Sequence, residues 1–309
     1  MKSKAFGSNV LLLITAMIWG FAFVAQRVGM NYVGPFTFNA VRFALGSLSL
    51  VPLALYFSKN KNVIGGEQAE YPILGLVLRG GLAGLVLFAG ASLQQVGLVY
   101  TTAGKAGFIT GLYVVIVPVI WMVLGQKSGI STWVGALTAA VGLYFLSISE
   151  AFTIEFGDFL EIIGAFFWAS HVILIGIFSR KSDPIILSLI QFAFCSFFSF
   201  ITAFAVETIT IASLADAAVP ILYGGLCSVG IAYTLQVVAQ RNAHPAHAAI
   251  LLSLESVFAA IGGWLLLSEI LSTRSKIGCA LMFFGMLVSQ IRKKEAKNST
   301  LSESDVVSG

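Results

Sequence analysis

Long apolar runs separated by short polar stretches fill most of the chain. Each run is long enough to cross the roughly 30 Å hydrocarbon core of a bilayer as a helix, because a helix rises about 1.5 Å per residue. Turn residues such as Gly34-Pro35 and His244-Pro245 mark several joints between the runs. The pattern predicts ten spanning helices, at residues 9–27, 35–57, 72–97, 102–124, 131–149, 157–178, 184–206, 217–239, 245–267 and 274–291.

The second half of the chain repeats the first. Under two similar offsets, residues of the second half fall on identical residues of the first, namely Trp264 on Trp121, Gly278 on Gly135, Gly285 on Gly142, Ala165 on Ala16, Trp168 on Trp19 and Phe192 on Phe43. An internal repeat of this kind governs the whole fold. It predicts two domains of five spans each, at residues 1–149 and 157–291, followed by a polar tail at 292–309.

Each repeat contains an odd number of spans, so the second repeat enters the membrane upside down relative to the first. Many secondary transporters are built from inverted repeats, and their substrate sites lie near the midplane between the halves. The predicted fold class is therefore an all-α polytopic membrane protein, with ten transmembrane helices arranged as two inverted five-helix repeats.

The composition agrees with a chain that lies in lipid. Hydrophobic residues make up 58% of the chain and charged residues only 10%, whereas about a quarter of the residues in a soluble domain are charged. The net charge is +4, but the basic residues lie in connectors and tails, which argues against a nucleic-acid partner. The three cysteines lie inside apolar runs without metal-ligand spacing, so neither a metal nor a cofactor is predicted.

Basic residues favour one side of the predicted topology. With the N-terminus inside, the internal connectors carry most of the cations, namely Lys2, Lys4, Lys59, Lys61, Lys127, Arg180, Lys181, Arg241 and the cluster from Arg292 to Lys297. The opposite connectors carry mainly acids, namely Glu150, Glu155, Asp158, Glu207 and Asp216, with Arg274 and Lys276 as exceptions. The positive-inside rule then predicts both termini, and the polar tail, in the cytoplasm.

Two ionisable residues lie deep inside the spans, where a charge costs at least about 2.5–3.5 kcal/mol. Glu255, near the middle of the ninth span, is either a proton or cation site, a partner for a substrate amine, or a structural acid that joins two helices. Arg42 either binds a substrate carboxylate, or it extends toward the membrane interface or pairs within the protein. The structural interpretation is favoured for Arg42, because the second repeat has Gln191 at that position.

Aromatic and amide residues at depth complete the candidate site. Trp19 and Trp168 occupy equivalent places in the two repeats, where they either form the walls of a central cavity or pack the repeats together. Polar side chains inside apolar runs either orient a ligand or bond a neighbouring helix. The candidate cavity residues are Trp19, Arg42, Gln94, Tyr113, Trp168, Gln236 and Glu255, with Glu255 as the candidate for proton or ion coupling.

Motifs of catalysis and of ATP hydrolysis are absent from the sequence. No GxSxG, P-loop, HExxH or CxxC occurs, so the chain is not predicted to be an enzyme, and any transport is predicted to be secondary. Pro118 lies inside the fourth span, where a proline predicts a kink.

Several motifs resemble those of a known family: Trp19-Gly20, Arg42-Phe43, GLYVVIVPVIWMVLG at 111–125, SLESVFAAIGGWLLLSE at 253–269, Gly278 and Gly285. Together they resemble the ten-helix members of the drug/metabolite transporter superfamily that carry two EamA-type repeats. The resemblance implies a carrier in a bacterial inner membrane that moves small polar metabolites, often amino acids or related compounds.

The sequence also departs from that family's pattern. Gly125-Gln126 stands where the family usually has Gly-Glu. Glu255-Ser256 stands where Glu-Pro is common, which predicts the loss of a helix kink. The first span lacks the glutamate through which small four-helix relatives couple protons, so their mechanism is not carried over.

The predicted function is a secondary active transporter, an exporter or exchanger, that moves a small-molecule substrate by alternating access. Coupling to a proton or another ion is compatible with Glu255, and no oligomeric state follows from the sequence. The alternative is a membrane-embedded lipid-handling protein, or a structural or sensor protein that transports nothing.

Overall fold

The computed structural model describes residues 2–59, 72–101, 103–126, 128–147, 155–266 and 272–289. In these ranges helices occupy all ten predicted spans, and a short helix at Ile211–Asp216 precedes the eighth. The ten are α1 (Lys2–Gly29), α2 (Pro35–Lys59), α3 (Ile73–Tyr100), α4 (Ala103–Gly111 and Tyr113–Val123), α5 (Ile130–Ser147), α6 (Phe156–Phe178), α7 (Pro184–Val206), α8 (Ala218–Leu222, Tyr223–Tyr233 and Thr234–Gln240), α9 (Pro245–Leu252 and Glu255–Leu266) and α10 (Thr273–Ser289). Lys61, Lys127, Glu150, Glu269 and the tail at 292–309 lie outside the described residues.

The helices have the length and surface of membrane spans. Eight of the described helices are long and apolar enough to cross a bilayer, and the segments of α5 and α10 at 130–145 and 276–289 are shorter apolar helices. Large apolar side chains such as Leu74, Leu78 and Phe204 are more than half exposed on the outside of the bundle. Because such a surface suits lipid and not water, the chain is an all-α, multi-pass membrane protein.

The packing of α5 on α10 shows directly that the two repeats are inverted. A Cβ atom on Gly135 would lie 2.7 Å from the carbonyl oxygen of Gly285, and one on Gly142 would lie 2.7 Å from that of Gly278. The earlier glycine of α5 therefore meets the later glycine of α10, so the two helices run antiparallel. Since the repeat makes these helices equivalent, one half is upside down relative to the other.

Other contacts between the halves follow the same two-fold relation. α2 packs against α7, its own counterpart. Contacts between helices that are not counterparts come in equivalent pairs. The contact of α3 with α7 matches that of α8 with α2, the contact of α1 with α9 matches that of α6 with α4, and the contact of α3 with α6 matches that of α8 with α1. The core of the bundle is therefore an interface built from both repeats, and the ten helices form two inverted five-helix repeats.

Two helices are interrupted within two residues of equivalent places. α4 breaks at Leu112, and α9 breaks at Ser253 and Leu254. The structure differs from the sequence expectation for the ninth span, and it adds a break in the fourth span that was not predicted. The fourth span is interrupted at Leu112, and its second helix continues through Pro118. The ninth span is interrupted although Ser256 replaces the usual proline.

Local hydrogen bonds at the breaks depart from the regular α-helical pattern. At the first, the N–H groups of Leu112 and Val115 donate to carbonyls three residues earlier, at 3.1 and 3.0 Å, as in a 3₁₀ turn. At the second, the Ser253 hydroxyl donates to the Ile250 carbonyl at 2.9 Å, and the Ser256 N–H donates to the Ser253 carbonyl at 3.2 Å. A serine that bonds its own backbone competes with the regular helix ladder.

The middle of α8 is a π-helix, Tyr223–Tyr233. Its glycines bring the backbone of α8 close to α2, because a Cβ atom on Gly225 would lie 2.8 Å from the Leu45 Cβ and 3.1 Å from the Arg42 carbonyl oxygen. π-Helical turns are rare and frequent at functional sites. Here the π-helix places its residues beside Arg42, in the centre of the bundle.

Candidate functional site

A cavity lined by aromatic and polar residues lies at the centre of the bundle, between the two repeats. Its volume is about 30 Å³. The structure brings all seven candidate residues to its wall, namely Trp19, Arg42, Gln94, Tyr113, Trp168, Gln236 and Glu255. They come from α1 to α4 in the first repeat and from α6, α8 and α9 in the second. Their role in binding stays a prediction.

Arg42 is the cation of the cavity and is only 2% exposed. Its Nε donates a hydrogen bond to Asn39 Oδ1 at 3.0 Å. The centre of its guanidinium lies 4.9 Å from the Phe43 ring and 5.5 Å from the Phe38 ring. Among the described residues, no carboxylate forms an ion pair with it. The guanidinium is therefore held by the hydrogen bond of its Nε and by two aromatic rings, and no described carboxylate neutralises its charge.

Glu255 is the acid of the cavity and is 4% exposed. It is the first residue of the second helix of α9, and its Oε1 accepts a hydrogen bond from the Tyr113 hydroxyl at 2.9 Å. Tyr113 is likewise the first residue of the second helix of α4. The two helix breaks thus meet at the cavity. In the described part of the chain, no cation forms an ion pair with Glu255.

Both candidate tryptophans pack on a third aromatic residue, Tyr233. The centroid of the Tyr233 ring lies 4.5 Å from that of Trp19 and 6.3 Å from that of Trp168. Trp19 Nε1 donates to the Ser228 carbonyl at 3.3 Å. The aromatic wall is therefore a group of three rings, in which the Tyr233 ring contacts both tryptophans.

The side-chain amides of Gln94 and Gln236 differ in whether they form hydrogen bonds. Gln94 Nε2 donates to Gln26 Oε1 at 3.1 Å, a bond that joins α3 to α1. Gln236 is 0% exposed, and neither atom of its amide group has a hydrogen-bond partner among the described residues. The indole Nε1 of Trp168 is also without a partner there. Since most buried polar atoms in proteins are hydrogen-bonded, unpaired donors and acceptors beside a cavity are suited to hold a polar ligand.

Comparison with known proteins identifies the family. The model of the EamA-like transporter family matches residues 7–148 and 155–290. The chain belongs to the EamA-like transporter family. An uncharacterized transporter of Archaeoglobus fulgidus is 33% identical over 94% of this chain and 87% of its own length. The uncharacterized transporter YoaV of Bacillus subtilis is 22% identical over 90% of this chain and 94% of its own length.

A solved structure shares the fold of this EamA-like transporter. That structure, described only as "Crystal structure of protein", superposes with a TM-score of 0.73 at 16% sequence identity. The match covers 92% of this chain and 96% of that chain. At this level of identity the likeness shows the fold alone.

The sequence missed half of the residues on the cavity wall of this transporter. They are Phe23, Gln26, Thr110, His171, Val172, Ser228 and Tyr233. Gln26, His171 and Tyr233 carry the signal that led to Gln94, a polar side chain inside an apolar run. His171 Nε2 lies 2.8 Å from the side-chain oxygen of Gln191, which occupies the place of Arg42 in the second repeat.

A pH effect on stability is expected from His244, which lies between α8 and α9, outside the spans. Its ring packs edge-on against that of Trp121, with 5.2 Å between the ring centroids. Burial, and then the charge of Arg180, lower the pKa of His244 below its ordinary value of 6.5. Between the two pKa values the unfolded chain binds more protons, so stability falls as the pH drops below 6.5. We expect the melting temperature to fall less on acidification in His244→Gln than in the wild type. Equal falls would contradict the assignment.

Proposed function

We propose that this EamA-like transporter is a secondary active carrier of small zwitterionic metabolites, such as amino acids, that works by alternating access between its two inverted halves. One observation carries the proposal. Arg42 and Glu255, of opposite charge, line the same central cavity, and neither forms an ion pair with a described residue. The α-carboxylate and the ammonium group of an amino acid complement these two side chains.

The energetic argument concerns the cost of unpaired charge. A single charged residue in the middle of a span costs at least about 2.5–3.5 kcal/mol, and this cavity contains both an arginine and a glutamate. A bound zwitterion offers a carboxylate to the fork of Arg42, a geometry that permits two parallel hydrogen bonds. Its ammonium group neutralises Glu255. Uniting charges in a buried cavity favours binding, because a low dielectric strengthens the attraction between opposite charges.

The aromatic residues and the free amide fit the rest of such a ligand. Trp19, Tyr233 and Trp168 offer apolar ring faces for a side chain. Gln236 offers one acceptor and two donors that are unused by the described residues. Ligand pockets commonly combine apolar walls with a few convergent polar groups.

The burial of the cavity residues supports alternating access. Arg42 and Glu255 are only 2% and 4% exposed, so the halves must separate around the site before a substrate enters. Breaks in α4 and α9 and the π-helix of α8 surround the site, as is common in transporters built from inverted repeats. We expect the carrier to lie in the cell inner membrane with both termini in the cytoplasm, and to act as an exporter or exchanger.

The proposal is tested by counterflow in proteoliposomes. Vesicles are loaded with an unlabelled amino acid, and the entry of labelled amino acid is measured over a panel of side chains. We expect saturable entry for at least one zwitterion. Its N-acetyl derivative lacks the ammonium and its methyl ester lacks the carboxylate. Each is expected to compete at least about tenfold more weakly, since a hydrogen bond to a charged group contributes about 1.5–3 kcal/mol.

Two results would contradict the proposal. One is the absence of saturable counterflow for every zwitterion in the panel. The other is equal competition by the ester or the N-acetyl compound, which would show that one charge is not recognised. Thermal stabilisation of the purified protein by the same compounds gives an independent readout, because a ligand of the folded state raises its melting temperature.

A further inference from the structure

A second buried acid lies outside the cavity, on α6. Glu161 is 0% exposed, and it lies in the second turn of the helix Phe156–Phe178. Among the described residues, no cation forms an ion pair with its carboxyl group. Ionisable residues inside membrane spans are costly, so each suggests a functional site.

The space around Glu161 is built to hold a carboxyl group. Thr110 Oγ1 donates to Oε2 at 3.2 Å, whereas Oε1 has no hydrogen-bond partner in the described part of the chain. On the facing helix α3, a Cβ atom at Gly97 would lie 2.8 Å from Oε1 and 3.0 Å from Cγ. The missing side chain of Gly97 therefore makes the room that the carboxyl group occupies.

Thr110 connects Glu161 to the central cavity. It lies in the last turn of the first helix of α4, and it lines the cavity wall together with Tyr113 and Glu255. A hydroxyl group both donates and accepts hydrogen bonds. Thr110 can thus give its hydrogen to Glu161 Oε2 while its oxygen takes one from water in the cavity. When the cavity holds a hydronium ion, one of its protons moves to the Thr110 oxygen while the Thr110 hydrogen moves to the carboxylate, and neutral water is left in the cavity.

In the opposite direction, acids lead from Glu161 to the exposed start of α6. Asp158 lies one turn earlier; its Oδ1 accepts from the Thr101 hydroxyl at 2.7 Å, and its Oδ2 accepts from the Glu155 backbone N–H at 3.1 Å. Glu155 is exposed at the start of the helix. Residues three apart lie on one side of a helix. The three acids form a stripe from the surface toward the cavity.

We propose that Glu161 is a proton-binding site of the transporter, which passes protons between the exposed start of α6 and the central cavity. The proposal rests on the proposed function, because a proton path is of use where substrate movement draws on it. Asp158 is the titratable group that faces Glu161 among the described side chains, and it lies on the same helix. Among the described side chains, α3 and α4 present Gly97 and Thr110 to Glu161, and Thr101, just after α3, bonds Asp158; none of these three residues titrates.

A proton suits this site better than a metal cation. Hard cations in proteins take about six oxygen ligands. Glu161 has one open oxygen, and the neighbouring hydroxyl group of Thr110 donates its hydrogen toward the other. A single proton on the carboxyl group removes the charge without further ligands.

The direct test is infrared difference spectroscopy between acidic and alkaline pH on the purified full chain. We expect the wild type to show the carbonyl band of a titrating carboxylic acid, and Glu161→Gln to lose part of it. Glu155→Gln, the matched change at the exposed start of the same helix, is expected to leave that part unchanged. Gly97→Ala keeps the acid but crowds it, and is expected to shift the pH at which the band titrates.

The infrared result does not depend on the substrate, so it is separate from the test of the proposed function. A band that is identical in the wild type, Glu161→Gln and Gly97→Ala overturns the proposal. In proteoliposomes, substrate accumulation driven by a pH gradient is divided by the counterflow of the same variant. This ratio is expected to be about tenfold lower in Glu161→Gln than in the wild type. An unchanged ratio also overturns the proton path, whereas absent counterflow in the wild type contradicts the proposed function instead.

Discussion

Arg42→Met is expected to stop transport and yet leave the ligand-free protein at least as stable as the wild type. The guanidinium is buried, with one hydrogen bond to Asn39 and no ion pair among the described residues. Removing it relieves an unpaired charge that costs about 2.5–3.5 kcal/mol in the middle of a span. Its contacts with Phe38 and Phe43 offset part of that gain.

The loss of transport follows from the proposed contact with a substrate carboxylate. Two charged hydrogen bonds contribute about 3 kcal/mol or more together, so counterflow is expected to fall about a hundredfold. Arg42→Lys retains the charge without the planar fork and should be intermediate. The control is Arg79→Met on α3, where the guanidinium bonds the Gly75 carbonyl at 2.9 Å; we expect it to stay within about twofold of the wild type.

The two expectations for Arg42→Met, loss of transport and retained stability, are each contradicted by a different outcome. Wild-type counterflow in Arg42→Met would remove the guanidinium from substrate binding. A lower unfolding midpoint in sodium dodecyl sulfate for Arg42→Met than for Arg79→Met would make it a structural residue. The latter is the interpretation that the repeat favoured, because Gln191 takes the place of Arg42 in the second half.

The sequence was sufficient for the fold and for much of the cavity wall. Apolar run length gives the number of spans, and the repeat of glycines and tryptophans gives two units of five, so inversion follows from the odd count. The position of a polar side chain within an apolar run also indicates its depth in the membrane. Because a transporter site lies at mid-depth between the halves, depth alone was enough to select Arg42, Gln94 and Glu255.

Depth does not give the direction in which a side chain points, and this explains what was missed. Tyr233 lies in the π-helix of α8, where the period of an α-helix no longer predicts which residues share a face. Glu161 lies close to the start of α6, so the sequence offers no reason to separate it from the exposed acids nearby. Its burial depends on Gly97 and Thr110, which lie far away in the sequence.

The sequence did not predict the two helix breaks, for a related reason. Proline is the local sequence signal for a break, yet α9 breaks without one and α4 breaks before Pro118. Contacts with other helices contribute at these positions: the Ser256 hydroxyl donates to the Gly107 carbonyl at 2.6 Å, and Tyr113 donates to Glu255. Side-chain bonds between α4 and α9 accompany the breaks, and such tertiary contacts cannot be read from local sequence.

Gly285→Val is expected to destabilise the protein by about 3 kcal/mol or more, at the upper end of the cost of overpacking a core. A Cβ atom at Gly285 would lie 2.6 Å from the Gly135 carbonyl oxygen and 2.8 Å from the Ala139 backbone nitrogen. These atoms belong to the backbone of α5 and cannot rotate away, so α5 and α10 must separate. The measurement is the unfolding midpoint in sodium dodecyl sulfate.

The matched control is a glycine with space around it. A Cβ atom at Gly104, in the first helix of α4, would meet nothing within 4 Å. Gly104→Val is expected to leave the midpoint within about 0.5 kcal/mol of the wild type, because valine is no worse than glycine in a helix. Equal midpoints for both variants would mean that α5 and α10 do not cross through their glycines. The antiparallel crossing that relates the two repeats would then be wrong, and so would a cavity formed between inverted halves.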